Sequence, residues 1–174
     1  MNTKILTIII ALVASMTSVG AQVTKAEIIA TGLTCSMCSN AINKQLKALT
    51  EVDSVRVDLN TNTFTVYVKK DAKVSPRILK ERVEKAGFFV GSMIVTMHFD
   101  NVEFSQNTNI EQEGLRFIST EKGSRVINGE VQLKILDKGY VTQKEHKKLS
   151  KTLSAMPTYQ NEDENEYHVK TIGS

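Results

Sequence analysis

Hydrophobic and polar positions alternate along several segments in the first half of the chain, and this alternation predicts strands. These segments cover residues 23–30, 55–59, 64–68 and 89–99. Between the first two, Ile42, Leu46 and Leu49 recur at intervals of four and three residues. Such spacing places hydrophobic side chains on one face of a helix. We therefore expect a helix from about residue 36 to residue 49.

A second helix is predicted from its boundary residues. Ser75 is suited to an N-cap, Pro76 to the first helical position, and Gly87 to the end of a helix. The order strand–helix–strand–strand–helix–strand is that of the ferredoxin-like sandwich. The sequence thus predicts an α+β, ferredoxin-like domain over residues 22–99.

The rest of the chain, residues 100–174, has a different pattern. Alternating or apolar segments predict strands at about 115–118, 126–136 and 167–172. Thr142 followed by Glu145 is a capping-box pattern, which predicts a short basic helix ending near residue 153. We expect a small β-rich domain with one helix, whose role the sequence does not indicate.

The first 21 residues are typical of a signal peptide. Lys4 precedes an apolar run from Ile5 to Val13, and Val19-Gly20-Ala21 is a small-residue cleavage signature. The run is shorter than the roughly 20 residues that span a bilayer. The sequence therefore predicts a soluble periplasmic or secreted protein with no stable membrane insertion after cleavage.

The charge distribution argues against two classes of function. Residues 22–99 carry 11 basic and 7 acidic residues, whereas residues 100–174 carry 10 and 12. No dense basic run with interleaved aromatics is present, so nucleic acid is not an expected partner. With three histidines and no Ser-His-Asp set, an enzyme active site is not expected either. The basic surplus of the first domain predicts docking onto an acidic partner.

The candidate chemistry lies in Cys35-Ser36-Met37-Cys38, which holds the only two cysteines and falls between a predicted strand and a predicted helix. A helix N-terminus favours thiolate over thiol. Two thiolates suit Cu(I), and they hold Hg(II) equally well, whereas structural zinc prefers four ligands. A disulfide across so small a loop adds little stability. Metal binding and thiol–disulfide redox chemistry both remain open from these residues.

The segment Gly32-Leu33-Thr34-Cys35-Ser36-Met37-Cys38, inside a β-α-β-β-α-β pattern, resembles the heavy-metal-associated domain family over about residues 24–97. That family includes copper chaperones, metal-binding domains of copper-transporting ATPases and a periplasmic mercury-binding protein. The resemblance implies that Cys35 and Cys38 are the metal ligands and that Phe88 shields the site. Thr34 stands where zinc-type members place an acidic residue, which favours copper or mercury. Leu33 replaces the usual methionine, a swap of similar volume.

These features together predict an exported Cu(I) chaperone or scavenger, and Hg(II) or Zn(II) are the alternative metals. The resemblance implies a metal-transporting ATPase, an efflux component or a copper enzyme as the partner. Two other functions stay open. One is a thiol–disulfide redox protein that uses Cys35 and Cys38, and the other is an interaction protein whose residues 100–174 bind a partner.

Other potential ligands have simpler interpretations. Met37 is expected to be an exposed or partly packed loop residue rather than a third sulfur donor. Met93 and Met97 occupy alternate positions of one strand, so we expect them to be packed, with His98 on the opposite face. His146 and His168 are predicted to be solvated, the first on a basic helix and the second beside the acidic stretch 162–166.

Overall fold

The computed structural model describes residues 22–34, 36–112, 114–161 and 163–173. The predicted signal peptide and Cys35 lie outside these ranges. The elements, in chain order, are β1 (Val23–Thr31), α1 (Ser36–Lys47), β2 (Val52–Asp58), β3 (Thr63–Val68), α2 (Pro76–Lys85), β4 (Phe89–Phe104), β5 (Asn109–Gln112), β6 (Leu115–Ser119), β7 (Arg125–Ile135), α3 (Gln143–Thr152), a 3-10 turn (Pro157–Gln160) and β8 (Glu166–Ile172).

The first six elements form the predicted ferredoxin-like arrangement, with strands in the order β2-β3-β1-β4 and every pair antiparallel. The alternation described above places one side of each strand in the core, as shown by Ala26 and Ile28 of β1. Leu46 of α1 and Leu79 of α2 are buried in the same core. This confirms the predicted fold class.

The remaining strands extend the same sheet beyond β4. β7 pairs antiparallel with β4, followed by β8, β6 and β5, to give eight strands in the order β2-β3-β1-β4-β7-β8-β6-β5. The domain boundary predicted at residue 99 falls inside β4, which continues to Phe104. That residues 100–174 form a separate domain stays a prediction. In the structure they share a sheet and one hydrophobic core, to which Leu133 and Tyr167 also belong.

A second, smaller hydrophobic cluster packs α3 and the 3-10 turn onto the sheet. Its buried members are Ile118, Leu136, Leu153, Met156 and Tyr159. Because Ile118 follows Phe117, which lies in the main core, this cluster occupies the opposite face of β6. The residues after β7 therefore cover part of the face that α1 and α2 leave open.

Both predicted helix starts are confirmed. Ser75 Oγ accepts a hydrogen bond from the backbone N–H of Ile78 at 3.2 Å. Thr142 Oγ1 accepts one from the backbone N–H of Glu145, also at 3.2 Å. In the described part of the chain, no helix has the length and apolar character needed to cross a bilayer.

Candidate metal site

The turn that leads to Cys38 is positioned by the end of β1 and the start of α1. β1 ends at Thr31, and Gly32 then takes a φ of +85°, a backbone conformation that favours glycine. Four residues later α1 begins at Ser36, so Cys38 lies in its first turn, where it is half-buried. The structure thus confirms the predicted place of Cys38 at a strand-to-helix turn.

The neighbours of the loop agree in part with the roles implied by the family resemblance. Phe88 is half-buried against the core, and a Cβ built on Gly32 would lie 3.9 Å from its Cδ1. Phe88 therefore stands beside the loop. Leu33 also packs against the core, as expected for a supporting residue. Thr34 is exposed, and Met37 is 81% exposed, as expected, although it lies in the first turn of α1 and not in the loop.

The electrostatics of this turn favour negative charge. The first turn of α1 contains no acidic side chain, and Lys44 and Lys47 lie in its last turn. Free backbone N–H groups and the positive end of the helix dipole therefore act on Cys38 without a competing carboxylate on that turn. These are conditions that stabilise a thiolate. Among the described residues, no three His, Cys, Asp or Glu side chains are grouped closely enough to hold a metal ion.

The predictions for the other soft or basic side chains have mixed outcomes. Met93 and Met97 are fully buried in the core and His98 is exposed, as predicted. His146 is half-buried, with its ring centroid 6.1 Å from that of Tyr159, so its predicted solvated position is wrong.

The prediction that His168 is solvated is also wrong, because its side chain is only 1% exposed. Its Nδ1 lies 2.7 Å from Asp137 Oδ1, and its Nε2 lies 2.9 Å from Thr158 Oγ1. Its backbone N–H donates to the second carboxylate oxygen of Asp137 at 2.6 Å. This hydrogen-bonded network was missed by sequence reasoning. The one available signal was the position of His168 between Tyr167 and Val169 in a predicted strand.

A cleft of about 570 Å³ separates α2 from the chain that follows β7. Lys80 and Tyr140 are among its lining residues, and the Lys80 ammonium lies 5.3 Å from the centre of the Tyr140 ring. Burial raises the pKa of Tyr140 far above its ordinary value, and burial likewise raises the pKa values of Tyr159 and Tyr167. All three phenols are therefore neutral at physiological pH.

Comparison with known proteins identifies the class of the first half of the chain. Residues 27–89 match the family described as the heavy-metal-associated domain. These residues form a domain of that family, and the resemblance inferred from the cysteine loop is confirmed. The family match covers a little over a third of the chain and leaves residues 100–174 unassigned.

The relatives of this domain include copper transporters. The copper-transporting ATPase of Saccharomyces cerevisiae is 42% identical over 57 residues, which are 33% of this chain and 6% of that protein. The solution structure of a yeast copper transporter domain, studied in apo and Cu(I)-loaded states, is 35% identical over 37% of this chain and 88% of that domain, with a TM-score of 0.34. The N-terminal domain of a potential copper-translocating P-type ATPase from Bacillus subtilis is 34% identical over 38% of this chain and 82% of that domain, with a TM-score of 0.35.

Proposed function

We propose that this protein binds one Cu(I) ion through the thiolates of Cys35 and Cys38 outside the cytoplasm and transfers it to another protein. The observation that carries the proposal is that Cys38, in the first turn of α1, belongs to a Cys-x-x-Cys sequence within the segment that matches the heavy-metal-associated domain family. Thiolate ligands select soft ions, and Cu(I) accepts as few as two of them. The 42% identity to the copper-transporting ATPase of Saccharomyces cerevisiae supports Cu(I) as the ion.

Transfer would proceed by ligand exchange. The half-buried position of Cys38 and the exposure of Met37 keep the loop near the surface, where a partner thiol or thioether can approach. The incoming sulfur adds to the ion before one of the two cysteines leaves, which gives a three-coordinate intermediate. Protons compete with the metal for sulfur, so Cu(I) affinity should rise with pH. Ligand exchange of this kind needs no catalytic residue. The proposed partner is a metal-transporting ATPase, an efflux component or a copper enzyme.

The direct test is a competitive Cu(I) titration of reduced protein (residues 22–174) against a chelator of known affinity. We expect tight binding of one ion, and we expect the variant Cys35→Ser/Cys38→Ser to lose it. Met37→Leu is the matched control. It keeps a side chain of similar size on the exposed first turn of α1 and removes the thioether, so unchanged affinity would leave the two thiolates as the ligands.

Two other outcomes would replace the proposal. Failure to compete for Cu(I), together with tight binding of Hg(II), would indicate a mercury scavenger. A Cys35–Cys38 disulfide that exchanges with protein substrates, at a reduction potential in the range of known oxidoreductases, would indicate a redox protein.

A further inference from the structure

Three segments that meet at the end of the sheet nearest Cys38 lack charged side chains. No Asp, Glu, Lys or Arg occurs in residues 28–43, 59–68 or 86–99, although charged residues make up 24% of the sequence. The fold brings the relevant parts of these segments together. Phe89 pairs with Thr31 at the end of β1, and the backbone N–H of Ala30 donates to Asn62 O in the β2–β3 turn at 3.2 Å.

Exposed apolar side chains are concentrated at this same end. Five large hydrophobic residues of the described chain are exposed, and four of them lie on the three uncharged segments. We call these four the apolar collar: Ile29 (39% exposed), Met37 (81%), Leu59 (57%) and Phe89 (69%). The fifth, Val126, lies opposite Glu103 of β4. Glu103 lies fourteen residues along β4 from Phe89, so the two are roughly 45 Å apart.

Two exposed charged residues of opposite sign border this surface. Asp58 and Lys85 are the residues that border two of the uncharged segments. The Asp58 carboxylate accepts a hydrogen bond from the backbone N–H of Asn60 at 2.9 Å, and hydrogen bonding to Asn60 lowers the pKa of that carboxyl. Asp58 is therefore ionised at neutral pH beside Leu59, and the exposed Lys85 borders the segment that carries Phe89, so one charge of each sign flanks the collar and neither sign predominates.

We infer that the apolar collar is the docking surface for the metal-exchange partner, and that this partner presents an apolar, uncharged surface around its own sulfur donor. The inference rests on the proposed function, because exchange requires the partner's sulfur to come within bonding distance of the cysteine loop. The collar residues lie at the same end of the sheet as that loop, with Met37 next to Cys38 in the first turn of α1 and Ile29 and Phe89 near the paired ends of β1 and β4, so a partner that reaches Cys38 approaches over this apolar surface. A lipid surface seated there would instead exclude the incoming sulfur.

Two synthetic acceptor peptides test this inference. Both carry Cys-x-x-Cys, and the pair is flanked by Leu and Phe in one peptide and by Glu in the other. The rate at which each takes Cu(I) from the loaded protein is divided by the rate at which it takes Cu(I) from a small chelator. We expect a higher normalised rate for the apolar peptide, with little change as salt is raised, since screening weakens only electrostatic attraction.

Variants of the collar complete the test. Phe89→Ser and Leu59→Ser should each slow transfer to the apolar peptide at least about fivefold, as is typical of important interface residues, whereas Val126→Ser should leave it unchanged. A faster, salt-sensitive rate with the Glu-flanked peptide would overturn the inference. Equal effects of Phe89→Ser and Val126→Ser would also overturn it. So would binding to neutral phosphatidylcholine vesicles that Phe89→Ser abolishes, because this would show a lipid-docking surface.

The chelator titration separates failure of this inference from failure of the proposed function. If the protein does not bind Cu(I), the proposed function is wrong. If it binds one ion tightly and the collar variants transfer normally, only the docking surface is wrong.

Discussion

Replacing Asp137 with alanine would remove the carboxylate that anchors His168. Two hydrogen bonds would be lost, one to the His168 ring at 2.7 Å and one to its backbone N–H at 2.6 Å. Bonds to a charged acceptor contribute about 1.5–3 kcal/mol each, and a buried donor without a partner adds its desolvation cost. His168 is only 1% exposed, whereas the Asp137 side chain is 20% exposed, so water entering the space left by the carboxylate would replace the two bonds only in part. We expect Asp137→Ala to lower the free energy of unfolding by about 3–5 kcal/mol.

Urea unfolding followed by circular dichroism measures this loss. With a slope of about 2 kcal/mol per molar urea, the midpoint should fall by roughly 2 M. Thr158→Val is the matched control, since it removes only the hydroxyl that contacts the other ring nitrogen of His168 at 2.9 Å. It should cost about 1 kcal/mol. If Asp137→Ala costs no more than Thr158→Val, the network does not hold this part of the fold together.

Three further substitutions test other parts of the structure. A Cβ on Gly91 would lie 2.5 Å from Cγ2 of Thr31, so Gly91→Ala should destabilise by about 1–3 kcal/mol in thermal unfolding, and adding Thr31→Ser should restore most of the loss. Burial raises the pKa of Tyr140 in the folded state, so its contribution to stability is complete below about pH 10 and is lost as the pH rises further. In Tyr140→Phe the free energy of unfolding should therefore fall less steeply above pH 10. The same slope in both proteins would contradict a raised pKa for Tyr140. Ser75→Ala removes the N-cap bond to the Ile78 amide and should cost about 1 kcal/mol by urea titration, whereas Ser75→Asp should retain most of the stability.

Local patterns were sufficient to predict the first half of the fold. The spacing of Ile42 and Leu46 and the caps at Ser75 and Pro76 act over a few residues, and the structure places α1 and α2 where they indicate. The cysteine loop was also predictable, because its motif and the strand-to-helix turn are contiguous in the sequence.

Long-range pairing accounts for most of what the sequence did not reveal. The continuation of β4 past Phe99 is hidden by Asp100 and Asn101, which interrupt the alternation where the register with β7 shifts. Asn101 adopts a φ of +48° at this point. β5 was missed because its four residues, 109–112, include a single apolar side chain and no period can be recognised in so short a run.

The environment of His168 depends on a residue far away in the sequence. Asp137 lies 31 positions earlier and reaches His168 only because β7 and β8 are neighbours in the sheet. Proximity to the acidic stretch therefore led to the wrong prediction of a solvated histidine. The apolar collar depends in the same way on the pairing of β1 with β3 and β4.

The most direct test of the central claim is the identity of the atoms bound to the metal. X-ray absorption spectroscopy at the copper edge should be recorded on reduced protein loaded with one equivalent of Cu(I). The account predicts two sulfur neighbours and no nitrogen or oxygen, with this signature lost in Cys35→Ser/Cys38→Ser. Nitrogen or oxygen ligands, or a spectrum unchanged in that variant, would contradict a two-thiolate copper site.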